Sequence, residues 1–172
     1  MTPALPTWRE LLTRPDLLLA LGFGAGLSPM APGTVGTLVA IPLYLLLAQL
    51  HFTTYLLIVA VGFITGCWIS ARAAARLGAH DHGAIVWDEI IGYLLTMSPL
   101  PWVTGKSGSI WAIALGFAVF RALDILKPWP ISWVDRKIHG GIGVMGDDAV
   151  AGLMGAVVIA AALMSAAAGW LV

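Results

Sequence analysis

Charge is what this sequence lacks most: 10% of its 172 residues are Asp, Glu, Lys or Arg, against roughly a quarter in ordinary soluble domains. Nine basic and nine acidic side chains cancel. There is accordingly no broad positive field to hold nucleic acid, and no acidic tail that would act as a solvating segment. Cysteine is nearly absent as well. The single thiol, Cys67, lies inside the apolar run Tyr55 to Ala71, which excludes a disulfide framework and a multi-cysteine zinc centre and fits a small residue in an apolar core. The N-terminal stretch Met1 to Asp16 mixes Arg9, Glu10, Arg14 and Asp16 with Pro3, Pro6 and Pro15. It lacks the apolar core and small-residue exit of a cleavable leader and is read as mature protein. What remains is 59% hydrophobic with a mean hydropathy of +0.91, a chain whose main solvent is a lipid bilayer.

A helix crosses a bilayer because it satisfies its own backbone hydrogen bonds, and about 20 apolar residues suffice. The strongest such run is Ala149 to Val172, without an ionisable side chain. Tyr55 to Ala71 is the next and contains Gly62-Phe-Ile-Thr-Gly66, a spacing that lets a neighbouring helix approach closely. Ile110 to Leu126 stays apolar until Arg121 and Asp124, whereas Val35 to Leu50 and Ile90 to Val103 are shorter and interrupted by Pro42 and by Ser98-Pro99-Leu100-Pro101. Leu17 to Gly36 is rich in glycine and proline and reads as a re-entrant or interfacial segment. The expectation is a single domain over residues 1–172, an all-α polytopic membrane protein with about five spans. An internal N-terminus then puts Arg9, Arg14, Arg72, Arg76, Arg121, Lys127, Arg136 and Lys137 on the cytoplasmic side, with only Lys106 opposite. All nine carboxylates fall on that same side, although no topology rule requires acids to follow bases.

Three blocks carry the polar chemistry. The first, Gly22 to Thr37, combines glycines that allow backbone N–H groups to approach an anion with the donors Ser28, Thr34 and Thr37. No Lys-Ser/Thr follows it and no strand precedes it, so it is neither a Walker loop nor a dinucleotide fingerprint; close helix packing explains it equally well. The second runs from His80-Asp81-His82-Gly83 to Trp87-Asp88-Glu89 at the start of an apolar helix. Acids at that depth are costly unless paired or bound to a cation, and helix capping accounts for one carboxylate better than for two. The third places Arg121, Asp124 and Lys127 on one helical face and Asp147-Asp148 before the last span. Arg and Lys suit a phosphate, and a snorkelling salt-bridge ladder would use them too. The oxygen-rich acids suit magnesium. Carboxylates, Arg/Lys and a glycine-rich segment together point to metal-assisted phosphoryl chemistry on a lipid-borne substrate.

In order and spacing these blocks resemble the phosphatidylglycerophosphatase A family of bacterial membrane lipid phosphatases. The matching runs are Gly22-Phe-Gly24 through Pro32-Gly33-Thr34-Val-Gly36-Thr37, His80-Asp81-His82-Gly83 through Asp88-Glu89, and Phe120-Arg121 through Lys127-Pro128-Trp129-Pro130 to Gly146-Asp147-Asp148. The resemblance implies magnesium-dependent conversion of phosphatidylglycerophosphate to phosphatidylglycerol at the bacterial cytoplasmic (inner) membrane, with the site facing the cytoplasm. On this reading Mg2+ sits among Asp88, Glu89, Asp147 and Asp148. Arg121 and Lys127 hold the phosphate with help from Ser28 and Thr34. Asp124 is a further ligand or the orienting partner of Arg121, and His82 protonates the leaving alkoxide. Attack by water and an aspartyl-phosphate intermediate are both compatible with these residues. The rival from another class is a small transporter or ion pathway built on intramembrane carboxylates.

Overall fold

A computed structural model describes residues 5–78, 82–104 and 108–169; His80, Asp81 and Lys106 lie outside the described residues. Every regular element among the described residues is helical. A Thr7/Glu10 capping box starts the short α1 (Trp8–Thr13), and α2 (Pro15–Ala20) follows with proline in its first turn. Gly22–Leu27 forms a 3-10 segment kinked at Phe23 and Gly24, both with left-handed backbone. Next come α3 (Pro32–Leu47), α4 (Phe52–Leu77) and α5 (Trp87–Met97). The last four are α6 (Pro99–Thr104), α7 (Ile110–Leu126), α8 (Ile131–Lys137) and α9 (Gly140–Gly169).

Local chemistry explains the boundaries. His51 and Ser109 cap α4 and α7 by accepting from the backbone N–H groups of Thr53 and Ala112. Gly78 ends α4 in the left-handed region. Lys127 ends α7 the same way, immediately before Pro128, which cannot continue a helix.

Two of these helices, Phe52–Leu77 and Gly140–Ala166, are long and apolar enough to cross a membrane, and Pro32–Leu47 is a shorter apolar helix. The structure matches the expected Ile110–Leu126 helix and departs from the sequence reading in two places. The Leu17–Gly36 segment is mostly helical, as α2, the 3-10 turn and the start of α3. The Ile90–Val103 stretch is interrupted as expected and forms two helices, broken at Ser98-Pro99 because Pro99 has no N–H to continue the helical hydrogen bonds. The final helix begins at Gly140, so Asp147 and Asp148 lie within it rather than ahead of it. Small polar-neutral residues such as glycine continue a helix once neighbours pack against it, which composition alone does not reveal.

Chain direction alternates so that α3, α5 and α9 begin at the end of the bundle where α4 and α7 finish. Gly33 of α3 lies against Glu89 of α5 and Arg121 of α7, and Gly141 of α9 lies against the Cys67 carbonyl of α4. At the same end α2 is tied to α4 by Asp16, whose carboxylate is 3.4 Å from Arg72 Nε and 3.0 Å from Arg76 Nη1. Burial works against the Asp16 charge, but Arg76, the Leu17 N–H and Arg72 outweigh it and hold the carboxyl below its usual range. Farther along the bundle, Tyr93 packs edge-on against both Tyr44 and Phe120, and Tyr55 donates to the Leu94 carbonyl at 2.6 Å. Large apolar side chains such as Leu46, Leu57, Ile64, Trp111, Val157 and Met164 cover the outside, as a lipid-facing surface requires.

The most extensively packed helix pair is α5 with α9. A Cβ on Gly152 would collide with the Gly92 carbonyl, and one on Gly92 would sit 2.8 Å from the Asp148 carbonyl and 2.5 Å from the Phe120 ring. Backbone meets backbone there, and only hydrogen fits between. Gly152→Leu should therefore destabilise the fold by about 1–3 kcal/mol or more through overpacking, seen as a lowered thermal midpoint in detergent. Ala162→Leu, on the exposed face of the same helix, should leave the midpoint unchanged; equal effects would contradict this helix crossing.

Candidate active site

The Gly92–Gly152 contact decides what lies one turn earlier on each helix: Asp88 on α5 and Asp148 on α9. Both are buried, and together with Glu89 they offer carboxylate oxygens within 4.8 Å of one another. Asp88 Oδ1 and Glu89 Oε2 are buried without a hydrogen-bond partner. Burying acids side by side raises both desolvation and repulsion costs, and orphaned carboxylate oxygens converging on one point fit a hard divalent cation. Glycine at position 33 makes room for this arrangement, since a Cβ there would strike Glu89 Oε1 and come within 3.3 Å of Arg121 Nη1. In the first sequence block this glycine thus serves close packing.

Two cations divide the remaining acids between them. Arg121 forms a short ion pair with Asp124 one helical turn on and lies 4.0 Å from Glu89 Oε1, while its Nε is buried and has no partner. Lys127 Nζ sits 2.6 Å from Asp135 Oδ1 and 2.7 Å from Asp147 Oδ2. Burial opposes the Lys127 charge, but the hydrogen bonds to Asp135 and Asp147 outweigh it and raise its pKa above the ordinary lysine value.

The structure brings together Asp88, Glu89 and Asp148 from the expected metal set and leaves Asp147 out of that group, paired with Lys127. Successive helical residues point about 100° apart, and on α9 it is Asp148 that meets the α5 acids while Asp147 meets Lys127. Lys127 is correspondingly engaged by two carboxylates, those of Asp135 and Asp147. Asp124 stands as the partner of Arg121. Ser28 Oγ donates to the Met30 carbonyl in its own loop at 2.8 Å, and Thr34 lies half-buried in the first turn of α3. His82 accepts the Ala84 N–H at Nδ1 over 3.2 Å, which leaves the proton of the neutral ring on Nε2. Asp135 is the residue to which the sequence assigned no role. It lies eight residues from Lys127 across a Pro-Trp-Pro turn whose Trp129-Pro130 bond is cis, and helical periodicity does not carry across such a turn.

Comparison with known proteins bears directly on this site. The phosphatidylglycerophosphatase A family profile matches residues 18–163. A phosphatidylglycerophosphatase A of Escherichia coli (strain K12) is 47% identical over 148 residues, covering 86% of this chain and 83% of that protein. Its counterpart in Haemophilus influenzae is 40% identical over 160 residues, 92% of this chain and 95% of the relative. A Bacteroides thetaiotaomicron protein provisionally named phosphatidylinositol-3-phosphatase is 38% identical over 152 residues, 85% of this chain and 92% of its own length. No solved structure matches the chain.

The grouping of three acids makes a prediction independent of turnover. Asp88→Asn, Glu89→Gln and Asp148→Asn should each weaken Mn2+ binding, followed by electron paramagnetic resonance in detergent, by at least about tenfold. Asp147→Asn should weaken it less, and Asp16→Asn should not change it. Equal losses at 147 and 148 would dissolve the distinction drawn here.

Proposed function

The chain belongs to the phosphatidylglycerophosphatase A family, and from that premise we propose that it hydrolyses the terminal phosphomonoester of phosphatidylglycerophosphate, giving phosphatidylglycerol and inorganic phosphate. The observation that carries the reading is the convergence, on an apolar helical bundle, of partnerless carboxylate oxygens from Asp88 and Glu89 with a partnerless buried Arg121 Nε. An anion bridging a cation and a guanidinium satisfies all three at once.

Asp88, Glu89 and Asp148 would hold a magnesium ion, whose chemistry is to polarise phosphoryl oxygens and acidify a bound water. Arg121 Nε donates to a phosphoryl oxygen, while Asp124 fixes the guanidinium plane. Lys127 holds Asp147 and Asp135, which ties α8 to α9 beside the acids. Ser28 and Thr34, on the neighbouring loop and first turn of α3, line the approach for the phosphate. His82, with its N–H on Nε2, donates a hydrogen bond to the leaving glycerol oxygen, which takes its proton from water as the P–O bond breaks.

We place the protein in the bacterial inner membrane with about five crossings, formed by α3, α4, α5 with α6, α7, and α9, and with the acids at the cytoplasmic end. Support comes from Arg72, Arg76, Arg121, Lys127, Arg136 and Lys137, which all belong to the bundle end that carries the site. The transporter reading is not favoured, because α9 beyond Asp148 carries no charged residue to continue a polar path.

Mixed micelles of phosphatidylglycerophosphate should release phosphate only with a divalent cation present, and far faster than glycerol phosphate in solution. Arg121→Ala should lower kcat by about a hundredfold or more, and Arg9→Ala should not. Faster hydrolysis of phosphatidylinositol 3-phosphate would overturn the substrate while keeping the enzyme class. For orientation, in a Cys67→Ala background, His51→Cys should react with an impermeant thiol reagent on intact cells and Lys137→Cys should not.

A further inference from the structure

The acids and Arg121 account for a phosphate but leave the rest of a lipid unplaced. A groove of about 220 Å³ lies between α3, α4 and α5, walled by Leu43, Leu47, Ile58, Gly62, Ile91 and Leu94. No charged residue lines it. The one polar side-chain atom in its wall, Trp87 Nε1, is already spent on the Gly62 carbonyl at 3.0 Å. Such a wall offers a headgroup, sugar or nucleotide nothing to bond to and disfavours all of them; it suits an alkyl chain.

Its position says which chain. Trp87 and Phe23 close the groove at the α5 N-terminus, with ring centroids 6.3 Å apart and planes at 65°. Phe23 adopts φ 58°, a costly backbone for an aromatic residue that persists only where its surroundings impose it. The next residues of α5 after Trp87 are Asp88 and Glu89, and Glu89 rests on Gly33 of α3. The groove and the acids thus occupy the same pair of helices. Leu43 follows Gly33 by ten residues, about 15 Å along a helix, which equals the hydrocarbon depth of one leaflet, half of about 30 Å. The lining residues Ile58 and Leu46 are 41% and 70% exposed toward the lipid side, so a chain can enter sideways without leaving the bilayer.

We propose that this groove seats one acyl chain of the phosphorylated lipid, fixing the headgroup phosphate at the level of the acids. The proposal rests on the lipid phosphatase reading above. It makes Ile58, Leu43 and Leu94 chain-binding residues that select for length, because a chain too short to reach Leu43 forfeits the contact.

The test has two arms. In the first, dihexadecanoyl and dihexanoyl phosphatidylglycerophosphate are compared in the same mixed micelles. Ile58→Trp, which fills the groove, should raise KM for the long-chain lipid by about fivefold or more and leave kcat/KM for the short-chain lipid unchanged. Leu57→Trp, one residue along on the exposed face of α4, should change neither; an unaltered chain-length preference in Ile58→Trp would overturn the proposal. In the second arm the native protein is irradiated with phosphatidylglycerophosphate or phosphatidylcholine carrying a mid-chain diazirine. The phosphomonoester lipid should label peptides containing Leu43–Leu47 or Leu94 several times more strongly. Equal labelling by the two lipids would show ordinary bilayer lipid in the groove and would also overturn it. Absence of phosphate release from native protein at either chain length would refute the phosphatase reading instead, and the labelling arm would still decide the groove.

Discussion

Everything at the polar end of this bundle depends on one close approach, the backbone contact of α5 with α9 at Gly92 and Gly152. Because each glycine lies one helical turn beyond an aspartate, the crossing that brings the glycines together also brings Asp88 and Asp148 together. In lipid there is no hydrophobic force between helices, so van der Waals contact at small residues has to supply the association. That association in turn holds like charges side by side. The Phe120 ring, packed on Gly92 and Tyr93, extends the same contact to α7 and sets where Arg121 begins its reach.

The electrostatics follow from that geometry. Six carboxylates, those of Asp88, Glu89, Asp124, Asp135, Asp147 and Asp148, are gathered around two cationic side chains, Arg121 and Lys127. Arg121 balances Asp124 and reaches toward Glu89, and Lys127 balances Asp135 and Asp147. Asp88 and Asp148 are left with no basic partner among the described residues. On the proposed reading a divalent cation would offset that excess, which would otherwise repel a phosphate. On that reading metal and substrate binding would be joined, with the partnerless buried Arg121 Nε as a further donor for the anion. In the proposed lipid complex the apolar groove along α3 and α5 would complete this division, with charge handled at the helix ends and a chain along their length.

Much of this was readable from the residues in order. The apolar runs marked α4 and α7, and the expected interruption at Ser98-Pro99 matched a break between α5 and α6, whereas α3 continues unbroken through Pro42. The charged blocks marked the polar end, and Gly62-x-x-x-Gly66 marked a notch that receives Ile91, Trp87 and Met145. Harder to read were the pairings. Lys127 meets Asp135 across a turn and Asp147 from twenty residues away, and neither distance corresponds to a helical repeat. The glycines of the first block were open to two explanations, and the positions of Val86 against Gly22 and Gly36, the Ala84 carbonyl against Gly26 and Glu89 against Gly33 show these used for close packing.

By itself the sequence determined an apolar, all-helical chain, the family to which it belongs, and the handful of acids and bases that carry its chemistry, because hydropathy and residue identity are properties of the chain in order. Only the tertiary structure decided how those acids are divided: Asp88, Glu89 and Asp148 in one cluster, Asp147 turned to Lys127, Asp124 to Arg121. The reason is geometric. A helix places successive residues about 100° apart, so the face each acid presents is set along the chain, but what stands opposite that face is set by which helix packs there and how closely.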